Sequence, residues 1–311
     1  MNRCPITYEF CGVADYSSQG LQSLARGLQK LRLLPYTQTE QRRESLIRME
    51  KMSIQGVQSK LSAILEIKKE TFTVVDIGGK YILKPQSENY SQLPQNEDVT
   101  MKLARLCDIE TPLHGLIYDK NRELTYFIRR FDRKGRSEKI PVEDFAQLSG
   151  RTRDTKYDSS IEQVVGLIDE YATFPLVEKI QLLRRLIFCW LTGNEDMHLK
   201  NFSLMTENGI TRLSPAYDLL NTSIALVNAQ EESALPLNGK KKHLSRHLFI
   251  EYLGKERMKL LPPAIADAER TVSKLKDAFR QMLTKSFLSP AMQKKYGQLV
   301  ESRLMAWSGG A

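Results

Sequence analysis

What this sequence lacks narrows its reading first. A membrane-spanning helix needs about 20 consecutive apolar residues. The purely apolar run in the most apolar helical stretch is only Leu186-Ile-Phe-Cys-Trp-Leu191. No membrane association is expected. The N-terminus, Met1-Asn-Arg-Cys-Pro-Ile6, has no basic start followed by an apolar core, so no signal peptide is read there. A cytosolic protein is expected. The four cysteines, Cys4, Cys11, Cys107 and Cys189, are scattered and form no Cys-x-x-Cys. Cys107 and Cys189 lie in apolar helical contexts and read as core. Cys4 and Cys11 have no neighbouring His or Cys to complete a zinc site, so no metal is assigned to them. Internal repeats and low-complexity tracts are also missing. Glycine is sparse where a phosphate-binding loop would want it: the segment before the strand at Leu61–Ile67 carries only Gly56.

What is present describes a folded chain of one two-lobed unit or two small domains. Its 311 residues, 41% apolar and 27% charged, are ample for a core. The net charge of +9 draws in nucleotides, nucleic acid or acidic protein faces. Local basic clusters occur at Lys240-Lys-Lys242 and Arg129-Arg130.

The densest polar stretch follows the apolar helix. Between Asn194 and Asn201, eight positions hold Asn194, Glu195, Asp196, His198, Lys200 and Asn201. Asp196 and Asn201 stand five apart. That is the spacing of a protein-kinase catalytic loop, where the Asp accepts the proton of the attacking hydroxyl and the Asn holds Mg²⁺. His198 and Lys200 join Asp196 as catalytic candidates. Asp218, in Pro215-Ala-Tyr-Asp218, is placed to be the second metal ligand and to meet the nucleotide phosphates. Mg²⁺ takes hard oxygen ligands and often only one or two carboxylates.

Upstream, Leu21, Leu24, Leu28 and Leu31 fall at helical spacing within 18–34, and 38–50 read as an exposed polar helix or linker. Thr71–Asp76 and Lys80–Lys84 read as strands joined in a hairpin across Gly78-Gly79. Lys84 ends the second strand, where kinases carry the lysine that pairs the α/β-phosphates. A helix is predicted from Asn96, as N-cap, to Cys107. Glu97 in its first turn either pairs with Lys84 or serves as a helix-dipole carboxylate. His114–Tyr118 and Leu124–Asp132 read as a second strand pair leading to a hinge, where backbone groups of Arg129 and Phe131 could meet an adenine edge. A loop with a short helix at Val142–Leu148 follows. The chain then becomes helical from Ile161. The helix at 176–191 buries positions 176, 180, 183, 187 and 190, and 264–284 and 290–306 form two terminal helices.

These parts, in this order, resemble the HipA-like serine/threonine kinase toxins of bacterial toxin–antitoxin systems, and most closely the short HipT form of three-gene HipBST systems. The resemblance rests on Ser53-Ile-Gln-Gly-Val-Gln-Ser-Lys60, Tyr81-Ile-Leu-Lys-Pro85, Asn96-Glu97, Ile128-Arg-Arg-Phe-Asp-Arg133, Glu143-Asp-Phe-Ala-Gln147 with Lys156-Tyr157, Gly193 through Phe202, and Pro215 through Asp218. It implies an α+β, two-lobed protein-kinase-like fold, with a β-rich N-lobe at 1–132 and a helical C-lobe at 133–311. It implies ATP and Mg²⁺ as cofactors, Asp196 as general base, and Asn201 and Asp218 as metal ligands. Lys84 would lie on the nucleotide phosphates, and Gln55, Gly56, Val57, Gln58 and Lys60 in a phosphate loop. Ser53 matches the family's autophosphorylated serine, whose modification ejects that loop. The short form often has Ser-Ile-Ser here, and this chain has Ser-Ile-Gln. The long form has Glu where Arg129 stands.

Long-form chains begin with an extra small subdomain, and only 52 residues precede Ser53 here. The resemblance therefore implies a separate small HipS-like antitoxin, a HipB-like helix-turn-helix partner that links the complex to DNA, and a protein substrate such as an aminoacyl-tRNA synthetase, all in the bacterial cytosol. Two other readings stay open: a lipid or small-molecule kinase of related fold, and a non-catalytic nucleotide-binding regulator associated with DNA.

Overall fold

The structure, a computed structural model, describes residues 2–49, 58–135, 138–152, 155–225 and 231–309. Ser53, Gln55, Gly56 and Val57 lie outside them. The fold is mixed α+β, as the sequence predicts, and divides into two compact units. One comprises Met1–Val99, Pro112–Ser137 and Lys285–Leu288; the other comprises Thr100–Thr111, Glu138–Thr284 and Ser289–Ala311.

The first unit opens with β1 (Asn2–Arg3), β2 (Phe10–Gly12), α1 (Ser18–Leu24) and α2 (Gln38–Met49). Ser17 caps α1 by accepting from the Gly20 amide. The predicted helix through residue 34 stops early. Ala25 turns extended and Gly27 takes a φ of +85°, a left-handed conformation that suits glycine. Leu28, Leu31 and Leu34 stay buried on non-helical chain. α2 is not simply an exposed polar helix. It buries Gln38, Gln41 and Ser45. Gln38 donates to Asp119 Oδ2 (2.9 Å) and Thr125 Oγ1 (3.1 Å), which meets the hydrogen-bonding demand of that buried amide.

The main sheet contains β3 (Leu61–Glu66), β4 (Thr71–Val74), β5 (Tyr81–Lys84), then, after α3 (Leu93–Leu106), β6 (His114–Tyr118) and β7 (Leu124–Arg129). Its order is β4-β3-β5-β7-β6, every pair antiparallel. The predicted hairpin between β4 and β5 is therefore wrong: β3 lies between them. The connection crosses β3, with the Val75 amide on Ser62 O and the Lys80 amide on Ala63 O. Gly79 is required there, since a Cβ would sit 1.9 Å from Ser62 Oγ. Leu61, Ala63, Phe72, Tyr81, Leu83 and Phe127 form the core over which Leu21, Leu24, Leu28, Leu31 and Leu34 pack.

The helix predicted from Asn96 begins at Leu93, one turn earlier. Asn96 is not its N-cap; its amide already donates to Gln92 O. Pro94 suits a first turn, where an amide proton would have no partner. Glu97 consequently sits beyond the first turn.

Further on come β8 (Arg133–Lys134), β9 (Glu138–Lys139), β10 (Val142–Asp144), α4 (Phe145–Leu148), α5 (Ile161–Tyr171), α6 (Pro175–Thr192), β11 (Ser203–Glu207), β12 (Ile210–Leu213), α7 (Thr222–Ala225), a π-helical segment Leu248–Arg257, α8 (Pro262–Lys285) and α9 (Pro290–Trp307). The predicted helix at 142–148 is half strand. Residues 142–144 pair with β11, and a capping box of Asp144 and Gln147 starts the helix only at Phe145. In the second unit the sheet β10-β11-β12 accompanies α5 and α6. α6 is buried almost all round from Leu182 to Thr192. Its predicted apolar stripe is buried at Leu183, Ile187 and Trp190, half-buried at Ile180 and exposed at Leu176 (59%).

Candidate active site

The candidate site residues fall into two sets, one in each unit. In the first, β5 pairs with β7 so that Lys84 lies opposite Tyr126. Lys84 Nζ is 2.5 Å from Glu97 Oε1, with the two side chains 2% and 1% exposed. The ammonium also lies 5.5 Å from the Tyr126 ring centre. Of the two readings open for Glu97, the ion pair is the one found. Taking both ions out of water costs several kcal/mol each, so close attraction is needed to hold them there. Near the start of β3, the Lys60 amide donates to Ser45 Oγ (3.0 Å), and that hydroxyl donates to Lys60 O (3.1 Å). Gln58 is half-buried. The Arg129 amide donates to Leu113 O (2.7 Å), which leaves only its carbonyl for any other partner. Phe131 is half-buried beyond the end of β7.

In the second unit, α6 delivers the polar loop. Gly193 ends the helix at φ +68°, where an added Cβ would meet Ser223 Oγ at 2.8 Å. The Glu195 amide then donates to Thr222 Oγ1 (2.7 Å), and Ser223 donates to Glu195 Oε1 (2.5 Å). Burial raises the Glu195 carboxyl above its usual value, and the Ser223 bond only partly opposes this. Asp196 points outward, with its side chain 51% exposed. Asn201 is buried and donates from Nδ2 to Asp196 O (2.6 Å), closing the five-residue span. His198 is buried. Lys200 reaches Asp144 Oδ2 (3.4 Å) rather than Asp196. The Tyr217 hydroxyl, which donates to Lys200 O (3.0 Å), ties the loop to the residue before Asp218. Asp218 is half-buried in the left-handed region, φ +54°, which Asp tolerates better than most residues.

Two residues that the spacing did not single out complete this set. Tyr157 donates to Asp196 Oδ1 (3.1 Å), and Lys156 Nζ lies 2.7 Å from His198 Nε2. They stand about forty residues upstream in a polar loop, and the one signal of them was the Lys-Tyr pair among the family-like segments. Burial pushes the His198 imidazole down; Asp196 opposes this and the Lys156 charge reinforces it. Burial, with the charge of Asp196 and the bond to it, pushes the Tyr157 hydroxyl up to about 12.

For a metal, Asn201 and Asp218 offer an amide oxygen and a carboxylate, the hard donors that Mg²⁺ prefers. The Nδ2 bond to Asp196 O commits the nitrogen of Asn201 and leaves its oxygen for a ligand. Among the described residues, no three His, Cys, Asp or Glu side chains cluster to hold a metal alone. The donors therefore fit Mg²⁺ only as part of a shell completed by phosphate and water. Also among the described residues, no helix is long and apolar enough to cross a membrane.

The HipA-like C-terminal domain model matches residues 52–285. A Haemophilus influenzae protein named as a candidate kinase is 31% identical over 226 residues, which is 68% of this chain and 64% of the relative. The Sinorhizobium fredii candidate kinase Y4dM is 35% identical over 207 residues, 62% of this chain and 50% of the relative. The serine/threonine-protein kinase toxin HipA of Shewanella oneidensis is 28% identical over 194 residues, 56% of this chain and 44% of the relative. The chain thus spans between about half and two thirds of the length of the curated relatives it matches. Among solved structures, HipA from the Shewanella oneidensis complex with HipB and operator DNA aligns at a TM-score of 0.70 and 19% identity, covering 92% of this chain and 74% of that one. The Helicobacter pylori proinflammatory kinase CtkA aligns at 0.52 and 15% identity, covering 74% and 88%. At these identities the likeness concerns the fold, a mixed α+β kinase-like one.

Proposed function

The chain belongs to the HipA-like C-terminal domain family, and on that premise we propose that it is an ATP- and Mg²⁺-dependent protein serine/threonine kinase, the toxin of a bacterial toxin–antitoxin system. The observation that carries the reading is the Lys84–Glu97 pair, 2.5 Å apart and almost wholly buried. Kinases use such a pair to hold the lysine that binds the nucleotide's phosphates. A buried ion pair is weak as a stabilising device, so its retention favours a role in function.

In this reading Asp196 accepts the proton of the acceptor hydroxyl as that oxygen attacks the γ-phosphorus. The bond from the γ-phosphorus to its bridging oxygen breaks, and ADP leaves. Lys84 holds the phosphates, with the segment from Gln55 to Lys60 as the phosphate loop. Arg129, through its carbonyl, and Phe131 border the adenine. Asn201 and Asp218 hold Mg²⁺, which when bound neutralises phosphate charge. His198 and Lys200 shape the loop around Asp196. Ser53 is the autophosphorylation site. A phosphate there adds about −1.5 to −2 charges beside the nucleotide, so ATP affinity falls. Equal ATP affinity of the phosphorylated and unmodified protein would overturn that regulatory step.

Partners follow the same premise: a HipB-like helix-turn-helix protein that links the toxin to DNA, and a small HipS-like antitoxin as in the short HipT form. The structure of the Shewanella oneidensis relative with HipB and DNA supports the first. An aminoacyl-tRNA synthetase is the proposed substrate, in the bacterial cytosol. The test is the intact mass of wild type and Asp196→Asn after Mg·ATP, followed by protein, lipid and sugar acceptors. Phosphate added by the wild type alone, to itself and to a protein acceptor, is expected. Transfer to a lipid or sugar instead, or no transfer, overturns the reading.

A further inference from the structure

Lys156 and Tyr157 lie outside the polar loop, yet several contacts tie them to it. The Leu199 amide donates to Lys156 O (3.3 Å). The Tyr157 and His198 rings meet edge-on, 5.2 Å between centres. The Lys156 ammonium stands 4.8 Å from the Tyr157 ring centre. Its contact with His198 Nε2, at 2.7 Å, has a definite sense. An ammonium has only donors, so Nε2 accepts and a neutral ring carries its proton on Nδ1. That Nδ1 is buried and has no hydrogen-bond partner among the described residues.

Asp196 is the second element. Its Oδ1 accepts from Tyr157 and lies 3.9 Å from His198 Nε2. An imidazole released by Lys156 is free to carry its proton on Nε2, which is close enough to Oδ1 to donate to that carboxylate and occupy the lone pairs an acceptor hydroxyl needs. With Lys156 in place the nitrogen is occupied. With Tyr157 in place the carboxylate plane is set from one oxygen only. Oδ2 accepts no hydrogen bond from the described residues.

We infer that Lys156 and Tyr157 are positioning residues for the general base: Tyr157 orients the Asp196 carboxylate through Oδ1, and Lys156 holds His198 off it, so that Oδ2 is presented to the acceptor hydroxyl. This rests on the kinase reading of Asp196. It differs from a simple structural strap, which would hold the loop whatever the chemistry of the two side chains. Misplacing a reacting group by an ångström costs about a hundredfold in rate, so the loss on removing either contact is expected in turnover rather than in ATP binding.

The test uses the full chain. The rate of autophosphorylation at saturating Mg·ATP, the ATP concentration giving half that rate, and the melting temperature are measured for wild type, Asp196→Asn, Tyr157→Phe, Lys156→Met and Lys156→Arg. Tyr157→Phe and Lys156→Met are each expected to lower the saturating rate about ten- to a hundredfold. Half-saturating ATP should stay within about twofold and the melting temperature within about 2 °C. Lys156→Arg, which keeps a charged donor, should recover most of the rate. If Lys156→Met does not fold, Tyr157→Phe, which deletes one oxygen, decides alone. Active wild type, silent Asp196→Asn and fully active Tyr157→Phe would overturn the positioning role and leave the kinase reading standing. Rates that fall only in step with melting temperature would also overturn it. Wild type that transfers no phosphate would overturn both.

Discussion

The two units hold their chemistry in opposite ways. Lys84 and Glu97 sit on a strand and a helix, nearly sealed from water. Asp196 sits on irregular backbone, half in solvent. The pair on regular elements needs the surrounding core to stay in place, because each partner is a charge that the interior rejects when alone. In the loop Asp196 is the exposed residue, while Asn194, Met197, His198, Leu199 and Asn201 around it are buried. The loop is tied by a local bond from Asn201 and by longer-range bonds to Thr222 and Ser223, with Tyr157 reaching in from outside. Substitutions in the first set should therefore cost stability as well as activity. A substitution of the exposed Asp196 should cost rate alone.

Asp196→Asn offers the widest break of this contrast. Removing the base should lower transfer about a thousandfold with an unchanged melting temperature. A melting temperature that falls with the rate would place Asp196 in the structural class. Glu97→Ala leaves Lys84 buried without its counter-ion. It should lose about 3–5 kcal/mol of stability, read as a lower denaturant midpoint, along with weaker ATP binding. An unchanged midpoint would mean that the lysine finds water or another partner.

Gly79→Ala sharpens the comparison within the first unit, away from any charge. The new methyl collides with Ser62 Oγ, and overpacking of this kind costs about 1–3 kcal/mol. Adding Ser62→Ala should recover part of that loss. No recovery would show that the crossing chain, not the hydroxyl, sets the limit.

The smallest effect is expected at Asp132. Burial pushes its carboxyl up, but the hydrogen bond and charge of Arg130 and the charge of Arg133 outweigh this and hold it below its usual value. Its stabilising contribution is therefore present above about pH 4 and is lost as pH falls through the lower folded value. Asp132→Asn should therefore lower stability slightly at neutral pH and hardly at all at strongly acid pH, flattening that acid limb as read from denaturant midpoints at the two pH values.

Legibility in the sequence followed the same divide. α5, α6, α8 and α9 were readable because their apolar spacing and caps are local. Strands β3, β5, β6 and β7 were readable from short runs rich in Val, Ile, Leu, Tyr and Phe. The order of those strands was not. Two glycines between two strands look the same whether the chain turns back at once or crosses a neighbour, and only the Val75 and Lys80 amides bonding to β3 distinguish the cases. Glu97 could be named and its pairing with Lys84 offered as one of two readings, but the choice between them was not legible, because the helix start depended on Pro94 acting as a first-turn residue rather than a breaker.

The sequence by itself determined the composition of the candidate site: which residues have acid, base, amide and ammonium groups, and the five-residue span from Asp196 to Asn201. Those are properties of neighbours along the chain, carried by local backbone geometry. Tertiary structure alone decided which charges lost their water and which long-range partners reached them. Lys84 met Glu97, Tyr157 met Asp196, and Lys156 met His198 because strands, helices and loops distant in sequence converge. Burial and convergence depend on the whole packed chain, and no local pattern of residues encodes them.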